Sequence, residues 1–114
     1  MIEVKKFSAA WCGPCRAENP NVVALYNEFH AQGLNIIGVS LDKDAAKWKE
    51  AIAKDGLVWA QISNLKYWNE PIAKQYNVES IPATFILDAK GTIVAKDLRG
   101  DALKAKVIAL LNAK

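Results

Sequence analysis

Apolar positions in the first third of the chain switch between strand-like and helix-like spacing. Residues 2–9 contain Ile2, Val4 and Phe7 and predict a short strand. From residue 14 to about residue 32 the apolar residues recur at helical spacing, and Pro20 inside this stretch predicts a kink. Residues 34–41 are almost continuously apolar, which indicates a strand buried on both faces of a parallel sheet.

The rest of the chain continues the alternation. Asp42 or Asp44 can cap a second helix that ends near Gly56, and residues 59–62 predict a short edge strand. Residues 64–76 predict a third helix that is irregular before Pro71. Residues 83–87 and 92–95 predict a hairpin, and an amphipathic helix follows Gly100. This order predicts an α/β fold, with a central mixed β-sheet flanked by helices.

Size and charge limit the class of protein. The chain has 114 residues, of which 52% are hydrophobic and 24% charged, so we expect a single domain over residues 1–114. The net charge of +3 is spread along the chain without a basic stripe, which argues against nucleic-acid binding. No apolar run reaches the roughly 20 residues of a membrane span, and no signal-peptide pattern is present. A soluble monomer is therefore expected.

The only two cysteines, Cys12 and Cys15, lie in the run Trp-Cys-Gly-Pro-Cys at the predicted start of the first helix. Amide groups and the helix dipole at such a position favour a thiolate over a thiol. A purely structural disulfide is improbable because so short a loop constrains the unfolded chain little. Structural zinc needs four ligands, and His30 is the only histidine. The pattern favours thiol–disulfide exchange, with a Cys-x-x-Cys metal-binding module as an alternative if a dimer shared four thiolates.

The cysteine motif, together with Ile81-Pro82 before the hairpin, resembles the thioredoxin fold over nearly the whole chain. The run Cys-Arg-Ala-Glu-Asn-Pro at 15–20 resembles the TlpA/ResA-type thiol-disulfide oxidoreductases and their redoxin relatives. So does the extra helical segment between the second core strand and the proline loop. The resemblance implies that Cys12 is an exposed nucleophile, Cys15 a buried resolving thiol and Pro82 a cis-proline. It also implies that Trp11, Ile81 and Gly100 border a substrate groove.

The function implied is disulfide exchange with a protein or peptide substrate, with this chain acting as a reductant. A separate, unidentified electron donor would restore the dithiol, and no cofactor is expected beyond the redox-active Cys12–Cys15 disulfide. A thiol-dependent peroxidase is an alternative, since redoxin relatives include peroxiredoxins. However, the peroxidatic pattern would require Pro at position 5 and Thr or Ser at position 9, where this chain has Lys5 and Ala9.

Two departures from thioredoxin affect the expected mechanism. Lys6 occupies the position of thioredoxin's buried aspartate, and we expect it either to pair with Glu18 or, preferably, to extend along an apolar wall into solvent. Glu18 is placed as in TlpA/ResA-type proteins and is predicted to accept the Cys15 proton; alternatively, it is a first-turn acid favoured by the helix dipole. Only Met1 precedes the first strand. If the sequence is a domain trimmed from a TlpA/ResA-type protein, we expect an extracytoplasmic location. Otherwise we expect a cytoplasmic one.

The remaining aromatic residues are predicted to have packing roles. Among the tryptophans only Trp11, beside Cys12, is predicted to contact substrate. The other three, Trp48, Trp59 and Trp68, are expected in or near the core.

Overall fold

A five-stranded mixed sheet forms the centre of the structure, a computed structural model that describes residues 1–112. The strands are β1 (Ile2–Ser8), β2 (Leu34–Ser40), β3 (Ala60–Ile62), β4 (Ala83–Leu87) and β5 (Ile93–Lys96), in the order β3-β2-β1-β4-β5. Strand β2 runs parallel to β1 and β3, while β4 runs antiparallel to β1 and β5. The sheet is therefore mixed, as the closing hairpin predicts.

Helices are α1 (Gly13–Phe29), α2 (Ala45–Asp55), α3 (Pro71–Gln75) and α4 (Gly100–Asn112), with short 3₁₀ turns at His30–Gln32 and Tyr67–Asn69. Helix α1 is continuous through Pro20. Asp44 caps α2, because its carboxylate accepts the N–H of Lys47 at 3.1 Å. Gly56 ends α2 in a left-handed conformation, with φ of 66°, which glycine adopts without a steric cost.

Alternation along β1 separates the core into two apolar layers. Ile2 and Val4 pack on one face of the sheet in a cluster that includes residues of α1 and α4, such as Leu25 and Val107. Phe7 belongs to the cluster on the other face. Helices therefore cover the sheet from both sides, which confirms the fold class.

The third helix predicted over 64–76 is shorter than expected, and the irregularity expected before Pro71 covers its whole first half. Only Pro71–Gln75 is α-helical, while Leu65 and Tyr67 have positive φ angles of 58° and 55° that a right-handed helix does not allow. Pro71 also has no N–H to give to a preceding helical turn, so it can begin a helix but not continue one. The segment before Pro71 is a loop with one 3₁₀ turn.

Parallel pairing brings the cysteine motif and the segment after β2 to one edge of the sheet. Ser8 and Ser40 are partners in the register of β1 and β2, so both strands end at the same level. In open α/β sheets this carboxyl edge is where ligand sites form.

Candidate functional site

The two cysteines lie at the start of α1. Cys12 is the N-cap residue, and its Sγ accepts a hydrogen bond from the backbone N–H of Cys15 at 3.2 Å. Pro14 lies in the first turn, where its missing N–H removes no helical hydrogen bond. Cys12 and Cys15 are joined by a disulfide. An N–H that points at the Cys12 sulfur would also stabilise negative charge there once the disulfide is reduced.

Both cysteines are buried in this disulfide form. Cys12 is 5% exposed and Cys15 0%, and with Ala9 they form a small apolar cluster against which the half-buried Ile81 packs. The expectation of an exposed Cys12 is therefore wrong here, because Ala9 and Ile81 cover the sulfurs. Cys12 remains the more accessible of the two sulfur-bearing residues.

The Ile81–Pro82 peptide bond is cis, as the resemblance implies. Pro82 is half-buried and directly precedes β4. Since Ile81 touches the cysteine cluster, the proline loop lies beside the disulfide.

The backbone of Ala10, two residues before Cys12, is held from both sides. Its N–H donates to the buried Asp42 carboxylate at 3.0 and 3.2 Å, and its carbonyl accepts from Arg16 Nη1 at 3.2 Å. The hydroxyl of Ser40 also donates to Asp42, at 2.6 Å. Asp42 was predicted only as a possible helix cap, but it instead positions the loop that carries the cysteines. The available signal was an acid directly after a buried strand at the carboxyl edge.

Arg16 is fixed in turn by Asp55 at the end of α2. The guanidinium of Arg16 forms a two-point ion pair with the Asp55 carboxylate, one contact being 2.8 Å, and Asn19 Nδ2 donates to the same carboxylate at 2.8 Å. The hydrogen bond from Arg16 lowers the pKa of Asp55, outweighing the opposing effect of burial. This pair therefore ties α1 to α2 next to the disulfide.

Glu18 contacts the other end of the chain. Its Oε1 accepts the backbone N–H of Gly100, the first residue of α4, at 3.1 Å. The first turn of α1 contains no acid, so the interpretation of Glu18 as a first-turn acid of its own helix is wrong. Glu18 and Gly100 line a cavity of about 400 Å³ that includes neither cysteine nor Pro82. The groove role of Gly100 and the proton-accepting role of Glu18 stay predictions.

Lys6 is buried on β1, with 3% of its surface exposed, on the same face as Ile2 and Val4. The interpretation that it extends into solvent is therefore wrong. An ion pair with Glu18 within 4.0 Å is also absent from residues 1–112. Burial lowers the pKa of Lys6 to about 8; the charge of Glu18 opposes this change and that of Arg99 adds to it. Burial of the charged Lys6 side chain therefore lowers the stability of the folded protein.

Trp11 projects from the site and is 49% exposed. Its ring centroid lies 5.5 Å from that of Tyr67 and 6.4 Å from that of Trp68. Trp59 is buried in the core, and Trp48 and Trp68 are half-buried, as expected for packing residues. Tyr67 is not predicted from the sequence, because the loop at 65–67, with positive φ at Leu65 and Tyr67, brings its ring beside Trp11.

Within residues 1–112, no helix is long and apolar enough to cross a membrane. The same residues contain no group of three or more His, Cys, Asp or Glu placed to hold a metal ion.

Comparison with known proteins agrees with this geometry. The pattern of the AhpC/TSA family matches residues 4–96. The chain belongs to this family. Among AhpC/TSA-related proteins it is of the TlpA/ResA type within the thioredoxin superfamily, as the motif resemblance indicates. The structure is similar to the thioredoxin domain of a thiol-disulfide oxidoreductase from Bacteroides vulgatus, with a TM-score of 0.90, 35% identity, and coverage of 97% of this chain and 79% of that one.

Curated relatives include a thiol:disulfide interchange protein and thiol-disulfide oxidoreductases. The thiol:disulfide interchange protein HelX of Rhodobacter capsulatus is 27% identical, with coverage of 96% of this chain and 61% of HelX. The thiol-disulfide oxidoreductase ResA of Oceanobacillus iheyensis is 31% identical, with coverage of 76% of this chain and 44% of ResA. The chain thus spans less than two thirds of the length of these relatives.

Proposed function

We propose that this AhpC/TSA-family chain is a thiol-disulfide oxidoreductase that reduces disulfides in protein or peptide substrates. The observation that carries the proposal is the Cys15 N–H pointing at Cys12 Sγ, 3.2 Å away, at the start of α1. This arrangement stabilises Cys12 as a thiolate and keeps Cys15 close enough to form the disulfide. The activities in the names of HelX and ResA support the same chemistry.

The reaction proceeds in two exchange steps. The Cys12 thiolate attacks one sulfur of the substrate disulfide; a mixed disulfide forms, and the other substrate sulfur leaves as a thiolate. Cys15 then loses its proton and attacks Cys12, which releases the second substrate thiolate and forms the Cys12–Cys15 disulfide. The substrate gains two electrons and this chain loses two. We assign the Cys15 proton to Glu18, whose Oε1 accepts from Gly100 while its second oxygen has no hydrogen bond within residues 1–112.

The substrate backbone is proposed to lie between Trp11 and the proline loop. Trp11 offers an exposed aromatic face, and Pro82 follows Ile81, which covers the sulfurs. An extended peptide can pair with exposed backbone at such a place, while Pro82 has no N–H to compete for the thiolate.

Reduction is the favoured direction because Gly-Pro separates the cysteines, as in thioredoxin, whose potential is about −270 mV. We expect a midpoint nearer this value than the roughly −120 mV of DsbA when the protein is equilibrated with dithiothreitol redox buffers and the disulfide fraction is measured by thiol trapping and mass spectrometry. A value near that of DsbA would contradict the reductase direction. Rapid thiol-dependent consumption of hydrogen peroxide would instead support the peroxidase alternative.

A further inference from the structure

A cavity of about 750 Å³ opens beside Trp11, on the side of α2. Neither cysteine lines it, and neither does Pro82, so it is separate from the proposed peptide path between Trp11 and the proline loop. Its volume lies within the roughly 300–1,000 Å³ typical of ligand sites. A molecule in this cavity would contact Trp11, the residue directly before Cys12 in the chain.

The lining holds more available cations than available anions. Lys43, Lys47 and Lys54 are exposed and form no ion pair within 4.0 Å in the described part of the chain. Glu50 is an exposed acid without a hydrogen bond or ion pair among the same residues. An anionic group entering the cavity would therefore meet three exposed lysines and two exposed carboxylates, Glu50 and Asp44, since the hydrogen bond from the Lys47 N–H leaves Asp44 charged.

The other charged lining groups are already engaged within the protein. Asp42 accepts from the Ala10 N–H and the Ser40 hydroxyl, and Asp44 accepts the Lys47 N–H as the cap of α2. Arg16, the fourth cation of the lining, forms its ion pair with Asp55. These contacts hold the walls in place and leave the three lysines available for binding.

Aromatic rings complete the wall nearest the cysteines. Trp11 and Tyr67 are 49% and 41% exposed, and the ammonium of Lys43 lies 5.3 Å from the centroid of the Tyr67 ring. Such rings offer apolar surface to the side chains and backbone of a bound peptide, while the lysines favour peptides that carry negative charge. The mixed lining, which retains Glu50 and Asp44, differs from the uniformly basic stripe that a nucleic acid requires.

We infer that this cavity binds an acidic segment of the polypeptide substrate, adjacent to the cysteine attacked by Cys12, and so sets substrate preference. The inference rests on the proposed disulfide exchange and names its substrate class. Attraction between the lysines and Asp or Glu side chains would favour acidic substrates over neutral ones, and more strongly at low ionic strength.

The test compares two synthetic peptides that share one disulfide and differ only in two residues beside it, Glu in one and Gln in the other. The second-order rate constant for reduction by the reduced protein is measured for each. We expect the acidic peptide to react about tenfold faster at low salt, and the preference to shrink at high salt. The triple variant Lys43→Gln, Lys47→Gln, Lys54→Gln should lose this preference and keep the rate for the Gln peptide, which also shows that it is folded.

A matched control removes the same charge elsewhere, with Lys74→Gln, Lys90→Gln and Lys106→Gln, none of which lines the cavity. It should retain the preference. Equal rates for the two peptides with the unaltered protein would overturn the inference and leave the proposed function intact. So would a preference that persists in the cavity variant or disappears equally in the control. Failure to reduce either peptide would instead overturn the proposed function.

Discussion

Replacing Lys6 with methionine is expected to raise the free energy of unfolding of the oxidised protein by about 3 kcal/mol at pH 7. Lys6 is 3% exposed, and burial lowers its pKa from the usual 10.5 to about 8. A difference of about 2.5 units corresponds to roughly 3 kcal/mol of preference for the neutral form, at about 1.4 kcal/mol per unit. The unfolded chain holds the proton more tightly than the folded one, so the charged form opposes folding. Methionine has a similar length and removes that cost.

The effect of Lys6→Met should depend on pH in a defined window. Since the folded pKa lies below the unfolded one, stability of the unaltered protein is lowered fully below about pH 8 and recovers as the pH rises to 10.5. The advantage of the variant should shrink across that interval in urea-unfolding curves. Lys5→Met is the matched control, because Lys5 is partly exposed and bonded to Glu3 at 2.6 Å. A Lys6→Met variant that is no more stable than the Lys5→Met control would contradict this account.

Replacing Glu70 with glutamine is expected to destabilise the protein by about 3 kcal/mol. Glu70 is fully buried, and its carboxylate accepts the backbone N–H groups of Asn64 at 2.8 Å and Ile72 at 3.1 Å, and the Asn64 side-chain amide at 2.9 Å. Glutamine would place an NH₂ donor against one of these donors. The Glu70 carboxylate fixes the loop that carries Tyr67. In the Glu70→Gln variant, Tyr67 should therefore move away from Trp11, and a change in tryptophan fluorescence would report this.

The sign of the pH effect for Glu70 is opposite to that for Lys6. Burial acts to raise the pKa of Glu70, but hydrogen bonds from Asn64 and Ile72 outweigh it, and the pKa lies below the usual 4.5 of a glutamate. The stabilisation is therefore complete above 4.5 and is lost as the pH falls through the lower folded value. Exposed Glu79, replaced by glutamine, serves as the control for urea unfolding at pH 7 and at acid pH. Equal stability of the two variants at pH 7 would show that Glu70 does not anchor the loop.

Local patterns predict the strands and helices well where one surface of each element is apolar. Strand β2 has the continuous apolar sequence of a doubly covered strand, and Gly33 marks its start. The pattern predicts an irregular segment before Pro71 but not its path, because the path depends on Glu70, which accepts from Asn64 in the loop and from Ile72 in α3. Helical spacing alone cannot reveal a carboxylate that organises the backbone around it.

The residues of the candidate site also fall into those that a local motif predicts and those that depend on distant contacts. Cys12, Cys15 and Pro82 were predicted because a contiguous motif and one dipeptide carry them. Asp42 and Tyr67 were missed because each contacts the motif across a long stretch of chain, Asp42 through the end of β2 and Tyr67 through the loop at 65–67. Burial of Lys6 depends on what α1 and α4 place over β1, which no local pattern contains.

Capture of a substrate by Cys12 is the most direct test of disulfide exchange. A reduced Cys15→Ser variant is mixed with a disulfide-bonded peptide, and the intact mass is measured after acid quenching. The expected product is a stable mixed disulfide through Cys12, because Cys15 is absent and cannot release the peptide. The matched Cys12→Ser variant, whose remaining sulfur is fully buried, should form little or none. Equal capture by both variants, or capture by neither, would contradict the assignment of Cys12 as the nucleophile.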